Sequence, residues 1–282
     1  MPHFTFDHPA QTGVRLDYSD HQADGLPIVL VHGFGCAQAD WQHQIDALSS
    51  THRTITVDLP GHGTSTHEVA DCRVEHLGAH IAGLLDHLAL ERAILVGHSM
   101  GCRVVMQGAL DVPDRVAAVV LVDGSCVGQG DGATLEAEAR AVFEKGGFAP
   151  TVRGLFADMF VDDAPNELEP DIIARAEALH PALGTSLFAS LVRWDAERIE
   201  SALTDLDCDI AVIQSTHLNT DRKRVALAPG DTTPWLDMVR RQRPEARIEL
   251  ALGVGHFTML EAPSEVTSLI RTAAAGPLRA SS

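Results

Sequence analysis

Along this chain short apolar runs alternate with segments of helical period. Residues 4–6 and 14–18 read as a hairpin pair near the start. Ile28-Val29-Leu30-Val31, Thr54-Ile55-Thr56-Val57, Ile94-Leu95-Val96 and residues 116–122 read as strands, as do 210–213 and 248–252 later on. The inner runs are continuous and β-branched, as expected of strands buried on both faces. Helical periodicity covers about 38–48, 73–88, 101–110, 234–243 and 263–273, and Pro113 helps to stop the third of these. This alternation predicts an α/β fold: a mostly parallel central sheet with helices on both faces.

One stretch departs from the rhythm. Residues 125–206 hold no convincing strand; helical patterns dominate, at 134–144 and 171–179 for example. Large apolar residues recur there: Phe143, Phe148, Phe156, Met159, Phe160, Leu187, Phe188 and Trp194. The expected organisation is a core formed by 1–124 and 207–282, with 125–206 inserted between two strands as a helical cap. The apolar residues suit a lid, which must cover an apolar pocket and exclude water. They could equally form one more layer of core. The last ten residues look frayed.

The junction of the third inner strand with its helix is the most informative point. Val96 is followed by Gly97-His98-Ser99-Met100-Gly101, and a helical pattern resumes at once. A turn that tight strains the serine backbone and brings the positions two before and two after against neighbouring chain, which accounts for both glycines. It also pushes the serine oxygen outward and aims the first N–H groups of the helix, Met100 foremost, beside it.

A G-x-S-x-G run between strand and helix resembles the nucleophile elbow of the α/β-hydrolase family. Three further stretches extend the resemblance over nearly the whole chain. His32-Gly33-Phe34-Gly35 follows the strand 28–31; the resemblance makes Phe34 the donor of a second oxyanion N–H, paired with that of Met100. Asp58-Leu59-Pro60-Gly61-His62-Gly63-Thr64-Ser65 is similar to a family loop whose role is largely structural. Gly253-Val254-Gly255-His256-Phe257, with Leu260-Glu261-Ala262-Pro263 behind it, matches the loop of the catalytic histidine. Imidazole titrates near pH 6.5 and can take the proton of a serine hydroxyl, which is otherwise a weak nucleophile.

The acid of such a triad is harder to place. Many relatives carry it a few residues after the strand that follows the lid. Here that strand runs into Gln214-Ser215-Thr216-His217-Leu218-Asn219-Thr220-Asp221; the expected position holds Leu218, and Asp221 lies three residues too far. Other members place the acid at the end of the strand before the lid, where this chain has Val122-Asp123-Gly124. Asp123 is therefore the expected acid and Asp221 the alternative.

Composition narrows the partners. Asp and Glu number 39 against 21 Lys and Arg, a formal net charge of −18, so nucleic acid and anionic membrane are poor partners. The five cysteines are odd in number and contain no C-x-x-C, which reads as free thiols in a reducing compartment. No apolar run approaches the roughly 20 residues of a membrane span, and the N-terminus lacks a signal-peptide pattern. The expected location is the cytoplasm. No metal cluster or dinucleotide fingerprint is evident, so no metal and no cofactor are expected; the oligomeric state is left open.

The leading expectation is a serine hydrolase that cleaves an ester or lactone of a small hydrophobic molecule through Ser99, His256 and Asp123. Phe34, Phe143, Phe156, Phe160, Phe188 and Trp194 are the candidate substrate-binding residues. A second reading keeps the scaffold but cleaves a carbon–carbon bond, or adds dioxygen without a cofactor, through a His256/Asp123 base pair. A third is a hydrolase-like binding protein with an inactive site.

Overall fold

The computed structural model describes residues 2–8, 11–66, 72–161, 168–219 and 223–276. In chain order the first elements are β1 (His3–His8), β2 (Gln11–His21), β3 (Gly25–Val31), α1 (Gln42–Leu48), β4 (His52–Val57) and α2 (Val74–His87). Next come β5 (Ala93–His98), α3 (Met100–Asp111) and β6 (Val116–Val122). Four helices follow without a strand: α4 (Gly132–Gly146), α5 (Phe148–Ala157), α6 (Glu169–Glu177) and α7 (Pro181–Asp205). The chain then forms β7 (Asp209–Gln214), β8 (Thr216–Leu218), β9 (Arg224–Ala226), α8 (Pro234–Gln242), β10 (Arg247–Leu250), α9 (Thr258–Glu261) and α10 (Pro263–Ala274).

Eight strands make one sheet in the order β1-β2-β4-β3-β5-β6-β7-β10. The expected hairpin is its antiparallel edge, with Phe4 opposite Leu16 and Phe6 opposite Val14. From β4 to β10 every pair is parallel. Parallel neighbours require a crossover, and the helices supply it. Helices α3 and α10 both pack on β5 and β6, and α2 lies on α3 while α1 lies on α10, so the sheet is covered on both faces. β5 is buried at every residue, which explains its uninterrupted apolar sequence.

Register is what positions the site. Val31 lies opposite Gly97, His98 opposite Val122, Val122 opposite Ile213, and Gln214 opposite Leu250. The residues that follow these five strand ends therefore share one rim of the sheet, where ligands of parallel sheets gather.

Two elements differ from the periodicity. Residues 38–48 begin as a 3-10 turn, Gln38–Trp41, before α1. Asp40 there accepts from the Ala37 N–H, and Gln38 is drawn onto Asp58 by backbone and side chain, which tightens the first turn. The hairpin of β8 and β9 was not expected either; its three-residue strands are too short to show a period.

The helices between β6 and β7 are well delimited. Asp131 caps α4 by accepting from the Thr134 N–H, and Gly147, at φ 75°, separates α4 from α5. Helix α7 runs 25 residues and packs on α4 and α3. Its apolar residues, with those of α5, are continuous with the core of the sheet. Among the described residues no helix is long and apolar enough to cross a membrane.

Candidate active site

The turn after β5 has the strain its sequence implies. Ser99 sits at φ 53° and ψ −113°, a conformation costly for any residue with a side chain. A Cβ on Gly97 would lie 2.2 Å from the Gly101 carbonyl oxygen, and one on Gly101 would lie 2.4 Å from the Val31 carbonyl oxygen. Both neighbours are main chain and cannot yield. Both glycines are thus fixed by sterics, and Ser99 is the residue left at the apex. Its N–H donates to the Val122 carbonyl at 3.0 Å, which ties the apex to the end of β6.

Three side chains from three strand ends meet there. The Ser99 hydroxyl lies 2.8 Å from His256 Nε2, and His256 Nδ1 lies 2.5 Å from Asp123 Oδ2. A carboxylate can only accept, so the Nδ1–H donates to Asp123 and Nε2 keeps the lone pair that accepts from the serine. All three groups are buried or nearly so.

Asp123 itself has a positive φ of 44°. Its Oδ1 accepts from the Gln214 amide at 2.7 Å and from the N–H groups of Ser215 and Thr216 at 2.8 and 2.9 Å. Its Oδ2 accepts from the Thr216 hydroxyl at 2.5 Å as well as from His256. Burial alone would raise this carboxyl, but the hydrogen bond and charge of His256, the Arg224 charge and the Thr216 hydroxyl outweigh it and hold it at about 2. The segment Gln214-Ser215-Thr216, at the strand end where many relatives carry the acid, here forms the cradle for an acid on the neighbouring strand. Sequence reading passed over these residues; a polar run directly after a buried strand was the available signal.

His256 is fixed from several sides. Its carbonyl accepts from His98 Nε2–H at 2.9 Å, and its own N–H donates to the Met159 carbonyl at 2.8 Å. The flanking N–H groups of Gly255 and Phe257 both donate to the Glu261 carboxylate, so one acid holds the loop from either end. Burial, and next the Arg224 charge, push the His256 imidazole down to about 4 despite its bond to Asp123. It is therefore neutral at pH 7 and able to take a proton.

The loop after β3 lies beside the serine: a Cβ on Gly33 would sit 3.2 Å from the Ser99 Cβ. Among the described residues neither the Phe34 nor the Met100 N–H donates to another group of the protein. Histidines of the two flanking loops hold this turn. His62 Nε2 accepts from the Gly35 N–H, while His32 donates to the Gly33 carbonyl and accepts from the Leu59 N–H. Asp58 accepts from Gln38 and from the Thr64 N–H. These side chains tie the two loops to one another.

The aromatic candidates divide. Phe34 contacts Phe156 and Phe188, Phe188 contacts Phe143, and Phe156 and Phe160 both contact Phe257, the neighbour of His256. They form one apolar band beside the site. Trp194 does not join it: the ring is buried against α3, and its indole N–H donates to the Gln107 side chain. The helical period put Trp194 in the same segment but could not show which face of α7 it occupies. Asp221, the alternative acid, lies outside the described residues. All five cysteines are free, and burial pushes the Cys126 thiol, nearest Asp123 in sequence, up to about 11, so it is not a competing nucleophile.

Comparison with known proteins agrees with this fold. Residues 28–269 match the model of the alpha/beta hydrolase family. The chain is 37% identical over 245 residues to the dihydrolipoyllysine-residue acetyltransferase component of the acetoin cleaving system of Pseudomonas putida, which covers 86% of this chain and 61% of that protein. It spans less than two thirds of that relative's length. Among solved structures, a thermophilic esterase of Thermogutta terrifontis superposes with a TM-score of 0.79 at 22% identity, over 96% of this chain and 97% of that one. Est816, described as an N-acyl homoserine lactone degrading enzyme, superposes with a TM-score of 0.74 at 25% identity, over 96% of this chain and 99% of the other. Sheet order, the strained serine and the matched family model lead to one conclusion: this chain belongs to the alpha/beta hydrolase family.

Proposed function

We propose that the chain is a serine hydrolase that cleaves a carboxylic ester or lactone of a small hydrophobic molecule through an acyl-enzyme. The observation that carries this reading is the unbroken hydrogen-bond line from the Ser99 hydroxyl through His256 to Asp123. Ser99 Oγ attacks the carbonyl as its proton passes to His256 Nε2. Asp123 holds the imidazole in the required tautomer and stabilises the imidazolium that forms. The Phe34 and Met100 N–H groups, which have no protein partner among the described residues, receive the charge on the tetrahedral intermediate; one such donor contributes about 3 kcal/mol. His256 then returns the proton to the leaving alcohol. Water, deprotonated by His256, releases the acid in the second half-reaction.

The helical segment acts as the lid, and Phe34, Phe143, Phe156, Phe160 and Phe188 favour an apolar acyl or alcohol group. The likeness to Est816 supports including lactones in the substrate class.

The test is a panel of aryl esters, alkyl esters and large-ring lactones assayed with the native protein and with Ser99→Ala. The native enzyme should turn over at least one class, and Ser99→Ala should lose about four to six orders of magnitude in kcat. A mild loss accompanied by oxygen uptake or carbon–carbon cleavage would replace this reading with the base-pair chemistry. A folded native protein that a fluorophosphonate fails to label at Ser99 would leave a binding protein.

A further inference from the structure

The hairpin of β8 and β9 brings one strong charge to the back of the site. Leu218 pairs with Arg224, and Thr216 with Ala226, so the hairpin folds its second strand back toward the end of β6. Arg224 donates from Nη1 to the Thr216 hydroxyl oxygen at 2.8 Å, and the same nitrogen lies 3.7 Å from Asp123 Oδ2. The Thr216 hydroxyl in turn donates to that oxygen. The Arg224 side chain is only 10% exposed, yet Thr216 and Asp123 are the partners its guanidinium has among the described residues. A buried guanidinium is costly unless it is well paired. Asp123 already has five donors without it: Gln214, Ser215 and Thr216 main chain, the Thr216 hydroxyl and His256. Arg224 is not needed to satisfy the acid's hydrogen bonds. What it adds is charge.

We propose that Arg224 is a positioning residue that sets the lower pH limit of the Ser99–His256–Asp123 array, by keeping Asp123 ionised and opposing a proton on His256. This rests on the serine-hydrolase reading above. The charges around His256 can be named element by element. Asp123 after β6 favours the imidazolium; Arg224 on β9 and Arg103 on α3 oppose it. His98 at the end of β5 donates to the His256 carbonyl and is itself pushed down to about 3, first by burial, so it is neutral. Glu261 on α9 faces the loop's N–H groups, and Asp158 after α5 attracts Arg224. Arg103 is bound in an ion pair with Asp195 that is 2% and 0% exposed, so its charge is offset locally. Among the described residues Arg224 has no ion-pair partner within 4 Å but the shared carboxylate of Asp123, which leaves it the stronger of the two cations acting on His256. A cation behind the acid weakens the base slightly but keeps it unprotonated in more acidic medium.

Three variants separate charge from structure: Arg224→Met removes charge and hydrogen bond, Arg224→Gln keeps a donor without charge, and Arg224→Lys keeps the charge. Two readouts apply: kcat/KM for a p-nitrophenyl ester from initial rates within seconds of a pH jump from 7.5, and the titration of His256 by NMR of imidazole-15N-labelled protein. Arg224→Met and Arg224→Gln should move the acid limb and the NMR titration upward together by about one pH unit, with the alkaline plateau within a few-fold of native. Arg224→Lys should stay near native. An equal loss at every pH with an unmoved limb would overturn the proposal, as would Lys behaving like Met. If Arg224→Met does not fold, Arg224→Gln and Arg224→Lys decide the question by the same criteria. The NMR titration needs no turnover, and Ser99→Ala assayed alongside tests the hydrolase reading separately, so the two ideas fail independently.

Discussion

The rim of the sheet and the helices between β6 and β7 meet at one site but are held there by different forces. At the rim, main chain does most of the fixing. The Ser99 N–H donates to Val122, the Asp123 N–H to Ile213, and the N–H groups of Ser215 and Thr216 to the Asp123 carboxylate. The glycines at 97 and 101 remove side chains where backbone meets backbone. The helices are held mainly by side chains. Arg103 on α3 forms a bidentate pair with Asp195 on α7 and also donates to the Ser99 and Ser125 carbonyls. Arg175 on α6 pairs with Asp40 and donates to the Gly35 carbonyl. The side chains at the rim are thus placed by backbone geometry, and the helices beside them by paired charges and packed rings.

The difference has its largest expected consequence in acid. His32, His98 and His256 lie in the sheet portion, are fully buried, and are pushed by burial to about 4, 3 and 4. Folded, they stay neutral; unfolded, each takes a proton near pH 6.5. Below 6.5 the unfolded chain therefore binds more protons, and stability falls as pH falls, levelling only below the folded values. Asp123, held at about 2, adds no loss until pH drops below about 4. Between pH 6.5 and 5 the three histidines together should remove on the order of 5 kcal/mol of unfolding free energy. None of the three lies in the helical segment 125–206. Urea titrations at pH 7 and pH 5 measure this directly; an unchanged midpoint would show that the buried imidazoles do not govern acid stability.

Breaking the helical side needs a different cut. Arg103 and Asp195 are both almost fully buried, and Asp195 also accepts from the Val127 N–H. Asp195→Asn leaves the guanidinium without its counter-charge and should cost about 3–5 kcal/mol. The double variant Arg103→Met with Asp195→Leu should recover most of that, because the pair's own net contribution is small once desolvation is counted. Chemical denaturation of the two variants decides it: equal losses in both would mean that the pair stabilises the fold outright.

This contrast also explains what could be read from sequence. Ser99, its glycines and the strand before it are legible because the constraint is local: a tight turn excludes side chains at fixed offsets. The parallel sheet was legible from apolar runs buried on both faces. Asp123 could be placed by its strand end, although the donors that hold its carboxylate could not, because Gln214 lies 91 residues away in sequence. Arg103–Asp195, 92 residues apart, and Arg175–Asp40, 135 apart, left no local trace. Arg224 was hidden for the same reason, inside a hairpin too short to show a period. Trp194 was misplaced because periodicity gives a helix its apolar stripe without naming the neighbour that the stripe meets.

The smallest effect tests whether the attachment of these helices is adjustable. Arg175 is about one-third exposed while Asp40 is buried, so the pair is partly screened. Arg175→Gln should cost about 1 kcal/mol or less in stability, since Asp40 keeps the Ala37 N–H and the Phe34–Phe156 contact remains. Its effect should appear instead in binding. Arg175 holds the Gly35 carbonyl, one residue from the Phe34 N–H, so loosening it frees the loop and α6 together. A rise in KM of a few-fold with a nearly constant kcat would place this tie in substrate binding. A fall in kcat with unchanged KM would instead mean that the α6 contact helps to aim the Phe34 N–H, and the division between a backbone-fixed rim and side-chain-fixed helices would fail at that point.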